Sequence, residues 1–186
     1  EPGGHACGAG IDVENGILVD DRARTSDPDI VAAGDCANHR IERYGRRVRL
    51  ECVSATTEHA KIAAATICDN TTGRAALPWF WSDQYDLKLQ IAGLNTGYDE
   101  VLVSGNPAHG RDFTCYYLTA GELIAADCVN RPADFVNAKR AIAQRAPIVR
   151  SSAKIGVAIS ADAHIMAILS VCFICIPCWF SVGFFS

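Results

Sequence analysis

Residues 24–37 read Arg-Thr-Ser-Asp-Pro-Asp-Ile-Val-Ala-Ala-Gly-Asp-Cys-Ala. The apolar run at residues 29–33 predicts a short buried strand, which Gly34 and Asp35 bring to an end. In open α/β sheets, ligands bind in the crevice outside the carboxyl ends of the strands. At such an end, Gly34 permits close backbone approach and Asp35 can accept hydrogen bonds from sugar-like hydroxyls. On residue types alone, a turn with a helix-capping aspartate is the more common structure for this pair.

The segments on either side predict a strand, a loop and a helix. Residues 16–20 form a short apolar run typical of a strand, whereas the polar, arginine-rich residues 38–49 predict a loop. Small apolar residues recur at helical spacing over residues 54–68, with Ser54 as the expected N-cap. This helix is expected to end near Asn70.

The second half of the chain predicts an antiparallel meander closed by a helix. A strand is expected over residues 85–94, and residues 113–118 and 123–129 flank a short turn, which is a hairpin pattern. A proline opens the helical pattern at residues 132–144, where it suits the first turn. We therefore expect residues 78–147 to form at least three antiparallel strands with this helix packed on them.

The composition is that of a folded, mildly acidic protein. The 186 residues are 49% hydrophobic and carry a formal net charge of −4, which excludes a disordered or low-complexity chain. Duplex nucleic-acid binders normally carry a basic excess, so nucleic acid is not an expected partner. The 9 cysteines are odd in number, and their wide spacing predicts reduced thiols in a cytoplasmic protein. The chain begins without a signal pattern. It also begins without Met, so we expect a fragment.

Three stretches carry a resemblance to a known family. Residues 24–37 resemble the second flavin-binding motif of the FAD-dependent pyridine-nucleotide reductases. Residues 78–94 read Pro-Trp-Phe-Trp-Ser-Asp-Gln-Tyr-Asp-Leu-Lys-Leu-Gln-Ile-Ala-Gly-Leu and resemble one branch of them, the ferredoxin, putidaredoxin, rhodocoxin and rubredoxin reductases. Val-Asn-Arg-Pro at residues 129–132, followed by Phe135 and Lys139, fits the same branch. The resemblance covers about residues 9–149 in one order.

The resemblance implies an α+β fold in which the end of an FAD-binding α/β domain, residues 1–76, precedes an interface domain. The interface domain, an antiparallel sheet plus helix, would occupy residues 77–147. The implied activity is that of an oxidoreductase that transfers electrons from NAD(P)H via FAD to a ferredoxin-type or rubredoxin-type carrier. In such an enzyme the flavin performs the chemistry, so no catalytic side chain and no metal are expected.

The resemblance also assigns roles to four residues. It places Asp35, beside Gly34, on the ribityl chain of FAD, and the backbone of Val53 near the flavin pyrimidine oxygen. Val53 also lies at the start of the predicted helix, where free N–H groups and the positive dipole end would stabilise negative charge. Trp81 would lie beside the isoalloxazine ring, whereas Trp79 is interpreted as a core aromatic.

The chain departs from the family in its phosphate-binding motifs. No Gly-x-Gly-x-x-Gly is present, and the nearest match, Gly8-Ala9-Gly10, has Val13 where the third glycine is required. Residues 54–56, Ser-Ala-Thr, also differ from the family's helix start. We therefore expect a fragment of the reductase that is inactive by itself. The alternative is a non-catalytic remnant that acts as an interaction or dimerisation module.

Two further features are open to functional and structural interpretations. Five arginines between residues 40 and 49 could steer an acidic ferredoxin by complementary charge, or could simply keep a loop solvated. Cys172, Cys175 and Cys178 have the spacing of metal ligands, but a fourth ligand is missing, so unmetallated thiols are expected.

The last residues, 148–186, do not resemble the family and form an unrelated apolar tail. Residues 165–186 carry no charged side chain, so they could be a C-terminal membrane anchor or an out-of-frame read. Pro177, Gly183 and the absence of a basic cluster favour the out-of-frame read, and no membrane role is predicted.

Overall fold

The computed structural model describes residues 4–70 and 76–146, together with a short strand at residues 156–158. These residues form two compact units, one with the described residues up to Ala76 and the other starting at Leu77.

The first unit is built on a small mixed sheet and one long helix. Strand β1 pairs in parallel with β2, and β2 pairs antiparallel with β3. Short 3₁₀ turns at Gly34–Cys36 and Glu42–Tyr44 precede β2 and β3. In chain order the regular elements are α1 (Gly4–Gly8), β1 (Ile17–Val19), β2 (Ala37–Ile41), β3 (Arg46–Arg49) and α2 (Val53–Ile67).

The strand predicted at residues 16–20 is confirmed, but the one predicted at residues 29–33 is wrong. Asp27 closes this segment as a turn: its side chain accepts from the amide of Asp29 at 2.9 Å, and its carbonyl accepts from the amide of Ile30 at 3.1 Å. Such local bonds compete with strand pairing. Only an isolated bridge between Arg24 and Val31 remains. The Gly34–Asp35 pair therefore follows a hydrogen-bonded loop and not a strand.

The loop predicted at residues 38–49 is also wrong, because this segment contains β2 and β3. Asn38 and His39 are buried in β2, and Val48 is buried in β3. The arginine-rich composition concealed this pattern, since a long arginine side chain can lie along a strand and carry its charge to a distant acceptor. Arg47 does so by donating to the carbonyls of Val19 and Asn38 at 3.0 and 2.9 Å.

Helix α2 forms where helical spacing predicts it, but it begins one residue before Ser54. The N-cap is Cys52, which is extended and makes no side-chain cap hydrogen bond. The expectation that Ser54 caps this helix is therefore wrong. The helix packs Ile62 and Ala63 against Ala23, which joins it to the turn that follows β1.

The second unit is a six-stranded antiparallel sheet with a helix on it, which confirms the prediction for residues 78–147. The strand order is β4-β5-β8-β7-β6-β9, and every pairing is antiparallel. The elements are β4 (Trp79–Gln84), β5 (Leu87–Gly93), β6 (Glu100–Gly105), β7 (Phe113–Thr119), β8 (Glu122–Val129), α3 (Pro132–Gln144) and β9 (Gly156–Ala158).

The predicted strand at residues 85–94 is shorter than expected because a two-residue turn, Tyr85 and Asp86, separates β4 from β5. Tyr85 has a left-handed φ of 56°, a conformation that turns the chain back on itself. Residues 79–84, predicted only as part of a motif, are therefore a strand.

Helix α3 covers one face of this sheet. Phe135, Ala138 and Ile142 lie on one side of the helix and pack in the core with Ala126 and Cys128 of β8. Ile142 is completely buried. Truncating such a side chain to alanine costs about 2–5 kcal/mol, so α3 is an integral part of the second unit.

A single carboxylate is buried in the strands of the second unit. Asp127 of β8 is 2% exposed, and its Oδ2 accepts from the hydroxyl of Tyr117 at 2.7 Å. Its Oδ1 has no hydrogen-bond partner among the described residues. Burial raises the pKa of Asp127 to about 6, while the bond from Tyr117 acts in the opposite direction.

Candidate functional site

The Gly34–Asp35 pair opens the 3₁₀ turn that leads into β2. Gly34 is buried and has a φ of +80°, a backbone conformation that favours glycine. Asp35 is exposed. The turn therefore places a carboxylate at the surface of the first unit, where it can accept hydrogen bonds from hydroxyl groups of a ligand.

The first turn of α2 is the second component of the site. Val53 is the first helical residue and its side chain is 65% exposed. Amides in the first turn of a helix have no acceptor within the helix, and the helix dipole adds partial positive charge there. No acidic residue lies in this turn to offset that charge. The turn can therefore stabilise a ligand oxygen that carries negative charge.

A direct contact joins these two components. The hydroxyl of Thr56 donates to Oδ1 of Asp35 at 3.2 Å. The methyl group of Thr56 is the nearest atom to the position that a Cβ would occupy on Gly34. On the other side, Arg49 donates to the carbonyl of Asp35 at 3.1 Å. The same guanidinium forms an ion pair with Glu51. The aspartate turn is thus bound to α2 through Thr56 and to β3 through Arg49.

A stacked pair of histidines supports the turn from within the unit. The rings of His39 and His59 have centroids 3.7 Å apart and an interplanar angle of 27°, and both residues are buried. Burial lowers the pKa of both histidines, that of His39 to about 3. His59 lies beside the backbone of Gly34, which acts to raise the pKa of its imidazole. A neutral imidazole therefore lies beside the glycine of the site.

The arginine cluster contributes both to the structure of the first unit and to its surface. Arg47 and Arg49 donate to backbone carbonyls of their own unit, while Arg40 and Arg47 are both exposed. The two engaged side chains position β1, β2 and the aspartate turn. Steering of an acidic partner by the cluster stays a prediction.

Trp81 lies in the second unit, on strand β4. Its side chain is 40% exposed, and its ring stacks on that of Trp79 at a centroid distance of 5.2 Å and an angle of 26°. Trp79 is half-buried and packs against the core under α3. An exposed indole is therefore supported by an aromatic residue of the core.

The structure brings together Gly34, Asp35 and the helix turn of Val53, and it adds residues that the sequence did not single out. Thr56 binds Asp35 of the turn from 21 positions further along the chain, and His59 lies beside the backbone of Gly34. The only feature of the sequence that pointed to Thr56 as a site residue is the difference between residues 54–56 and the family's helix start.

The remaining sequence features lie partly outside the described residues. Among the described residues, no group of three or more His, Cys, Asp or Glu side chains has the arrangement of a metal site. Cys172, Cys175, Cys178 and the apolar residues 165–186 lie outside them. No helix within the described ranges is long and apolar enough to cross a membrane.

Comparison with known proteins gives consistent matches along most of the chain. Residues 79–155 match the family described as Reductase C-terminal. Putidaredoxin reductase CamA from Pseudomonas putida is 43% identical over 143 residues, which are 77% of this chain and 34% of that protein. Ferredoxin--NAD(P)(+) reductase fdr from Sphingomonas sp is 44% identical and is matched over 75% of this chain and 34% of its own length.

A solved structure gives the same result. The crystal structure of a covalent putidaredoxin reductase–putidaredoxin complex matches with a TM-score of 0.74 and 42% identity, over 77% of this chain and 34% of that one. The sequence and structure matches thus agree on one class of protein, to which the Reductase C-terminal domain at residues 79–155 belongs. The chain belongs to the ferredoxin reductase family, in the branch that includes putidaredoxin reductase. It spans about a third of the length of these relatives.

Proposed function

We propose that this chain forms part of a reductase that uses FAD to pass electrons from NAD(P)H to a ferredoxin-type or rubredoxin-type carrier. Residues 1–76 would be the closing part of its FAD-binding domain and residues 77–147 its interface domain. The observation that carries the proposal is the hydrogen bond from Thr56 to Asp35, which places an acceptor beside the first turn of a helix.

The residues of the first unit fit the chemistry of FAD. The ribityl chain presents hydroxyl donors, for which the exposed Asp35 carboxylate is a suitable acceptor, and the backbone beside Gly34 can be approached closely. The pyrimidine part of the flavin presents a carbonyl oxygen, for which the first-turn amide of Val53 is a suitable donor. FAD, when bound, supplies the acceptance of hydride from NAD(P)H and the release of single electrons.

The residues of this chain bind and orient rather than transfer protons. Asp35 would accept from the ribityl hydroxyls, while the dipole of α2 would stabilise negative charge at the nearby oxygen. Trp81 would cover the isoalloxazine ring and exclude water from it. Its exposed, supported indole suits contact with a planar group.

The partner and the location follow from the same assignment. One relative is matched in a covalent complex with putidaredoxin, which supports a redox protein as the electron acceptor. The six cysteines among the described residues, Cys7, Cys36, Cys52, Cys68, Cys115 and Cys128, are free thiols. Free thiols are typical of a reducing compartment, which supports a cytoplasmic location.

The test of cofactor binding uses a full-length chimera. Residues 9–149 replace the matched third of the Pseudomonas putida reductase, and the FAD content is measured after dialysis. We expect Asp35→Ala to lower FAD retention more than tenfold, since a hydrogen bond to a charged group contributes about 1.5–3 kcal/mol. Asp29→Ala, an exposed acid of the same segment, is the control and retains FAD. Full retention by Asp35→Ala would contradict the assignment.

The test of Trp81 uses two electron acceptors with the same chimera. We expect Trp81→Ala to keep much of its FAD, because the cofactor is held along its whole length, but to reduce putidaredoxin slowly with NADH while reducing a small dye normally. Val136→Ala, which removes another exposed apolar side chain of the second unit, is the control. If Trp81→Ala lost all FAD and Asp35→Ala kept it, the two roles would be wrongly assigned.

A further inference from the structure

The position of Trp81 in the backbone restrains the orientation of its side chain only weakly. Strand β4 is at one edge of the six-stranded sheet, and the indole of Trp81 is 40% exposed. An exposed side chain on an edge strand has several rotamers open to it. An indole that covers a planar cofactor must be held in one orientation, because small displacements at a reacting centre are costly.

The contact that restrains this indole comes from Trp79. Alternate residues of a strand lie on the same face, so Trp79 and Trp81 project to one side of β4. Their rings are stacked at 5.2 Å. Trp79 also contacts Phe135 of α3, with ring centroids 5.8 Å apart and an interplanar angle of 50°.

The ring of Trp79 is restrained by a nearby cation. The ammonium of Lys139, also on α3, lies 4.5 Å from the centroid of the Trp79 ring and 5.9 Å from that of Phe135. Both distances are within the range at which an aromatic face attracts a cation. Lys139 follows Phe135 by four residues, so the two side chains lie on the same side of α3. Because Phe135 and Ala138 are buried in the core, the helix that carries Lys139 is itself fixed.

We propose that Lys139 and Trp79 are positioning residues that hold the indole of Trp81 in the orientation used at the flavin. Lys139 restrains Trp79 through its ring face, and Trp79 restrains Trp81 by stacking. Trp79 therefore has a role beyond filling the core. The role of Trp81 rests on the proposed function, whereas the restraint itself is a property of this chain.

The restraint can be measured on the chain as it is. Two stacked indoles couple electronically and give a paired positive and negative band in the far-ultraviolet circular dichroism spectrum. Trp79→Phe removes the pair and identifies it, while Trp179 is kept in every variant. We expect Lys139→Met to lose most of the band amplitude with an unchanged helix signal. Lys139→Arg, which keeps a cation, retains the amplitude, as does Arg140→Met, which removes the exposed neighbouring cation.

Wild-type amplitude in Lys139→Met would overturn the proposal, as would a loss in Arg140→Met of the same size as in Lys139→Met. Lys139→Gln is the second variant, used if the methionine variant does not fold, with the same expected loss and the same overturning result. A fall in band amplitude that Lys139→Arg does not rescue would also overturn the proposal, because the cation would then not be the restraint.

The functional consequence is measured separately in the chimera. We expect Lys139→Met to slow reduction of putidaredoxin in the same direction as Trp81→Ala, with dye reduction unchanged. If the band pair falls while carrier reduction is insensitive even to Trp81→Ala, the restraint stands and the proposed function of Trp81 fails. If Trp81→Ala slows carrier reduction but Lys139→Met leaves both the bands and the rate unchanged, the proposed function stands and the positioning role fails.

Discussion

The hydroxyl of Thr56 donates to Oδ1 of Asp35 across 3.2 Å, and this bond joins the aspartate turn to the first turn of α2. The two residues are 21 positions apart, so only the folded first unit brings them together. The bond orients the carboxylate while leaving it exposed for a ligand. Thr56 is therefore a positioning residue for the group that we assign to the ribityl chain.

We expect Thr56→Val to weaken FAD retention by the chimera. Valine keeps the branched shape that faces Gly34 but cannot donate, so the carboxylate loses one orienting bond worth about 1 kcal/mol, or about fivefold in the dissociation constant. The measurement is FAD release followed by flavin fluorescence. Thr56→Ser keeps the hydroxyl and should behave as the wild type. Equal losses in both variants would mean that packing, not the hydrogen bond, is responsible.

A second prediction concerns the backbone of Gly34. Its φ of +80° is costly for a residue with a Cβ, by about 1–2 kcal/mol. A Cβ there would lie 3.4 Å from Thr56, which the threonine can accommodate, so most of the cost is conformational. Gly34→Ala should lower the free energy of opening of α2 amides by that amount, as measured by hydrogen exchange. Gly8→Ala, at an open position without a left-handed φ, is the control, and an equal effect there would refute the argument.

The second unit was predictable from sequence because its signals are local. Alternating apolar residues, turn residues between them and a proline at the start of α3 each specify an element within a few positions. The exception, the turn at Tyr85 and Asp86, contains neither glycine nor proline and so gave no signal. Trp79 was interpreted correctly as packing against the core, but its stacking on Trp81 was not foreseen.

The first unit was predicted less well because its bonds are long-range. The strands β2 and β3 are obscured by arginines whose guanidiniums bind distant carbonyls, as Arg47 does at Val19. The strand predicted at residues 29–33 is replaced by a turn in which the side chain and the carbonyl of Asp27 accept from the amides of Asp29 and Ile30. Sequence resemblance singled out Asp35 and Val53 as expected site residues, but no local pattern could indicate that Thr56 binds the same turn.

A third prediction concerns the stacked histidines. Burial, followed by the charges of His59 and Arg47, lowers the pKa of His39 from 6.5 to about 3, with Asp20 acting in the opposite direction. The unfolded chain binds a proton at this residue as the pH falls below 6.5, whereas the native state does not until about pH 3. The first unit should therefore lose up to about 1.4 kcal/mol of stability per pH unit for each such histidine.

Hydrogen exchange in α2, corrected for its intrinsic pH dependence, measures this loss between pH 7.5 and 5.5. His39→Phe keeps a ring to stack on His59 but does not titrate, so the pH dependence of the variant should be shallower. His109→Phe, which removes a histidine of the second unit, is the control for this measurement. A variant as steep as the wild type would show that the acid sensitivity arises elsewhere.

The fourth prediction concerns Asp127, for which the stability changes with pH in the direction opposite to that for His39. Burial raises its pKa from 3.8 to about 6. Between these values the native state holds a proton that the unfolded chain releases, so the stability of the second unit falls as the pH rises from 3.8 to about 6 and then stays constant. Acidification from pH 7.5 to 5 should thus stabilise β7 and β8 by an amount on the order of 1–2 kcal/mol, while it destabilises the first unit.

Two variants isolate this carboxylate. Asp127→Asn keeps an oxygen that can accept from the hydroxyl of Tyr117 and does not titrate, so exchange in β7 and β8 should show higher stability at pH 7.5 and little pH dependence. Tyr117→Phe removes the donor that favours the ionised form, so stability at pH 7.5 should fall and the pH dependence should become steeper. If Asp127→Asn were less stable than the wild type at pH 7.5 and equally sensitive to acid, the buried carboxylate would not be the group that titrates.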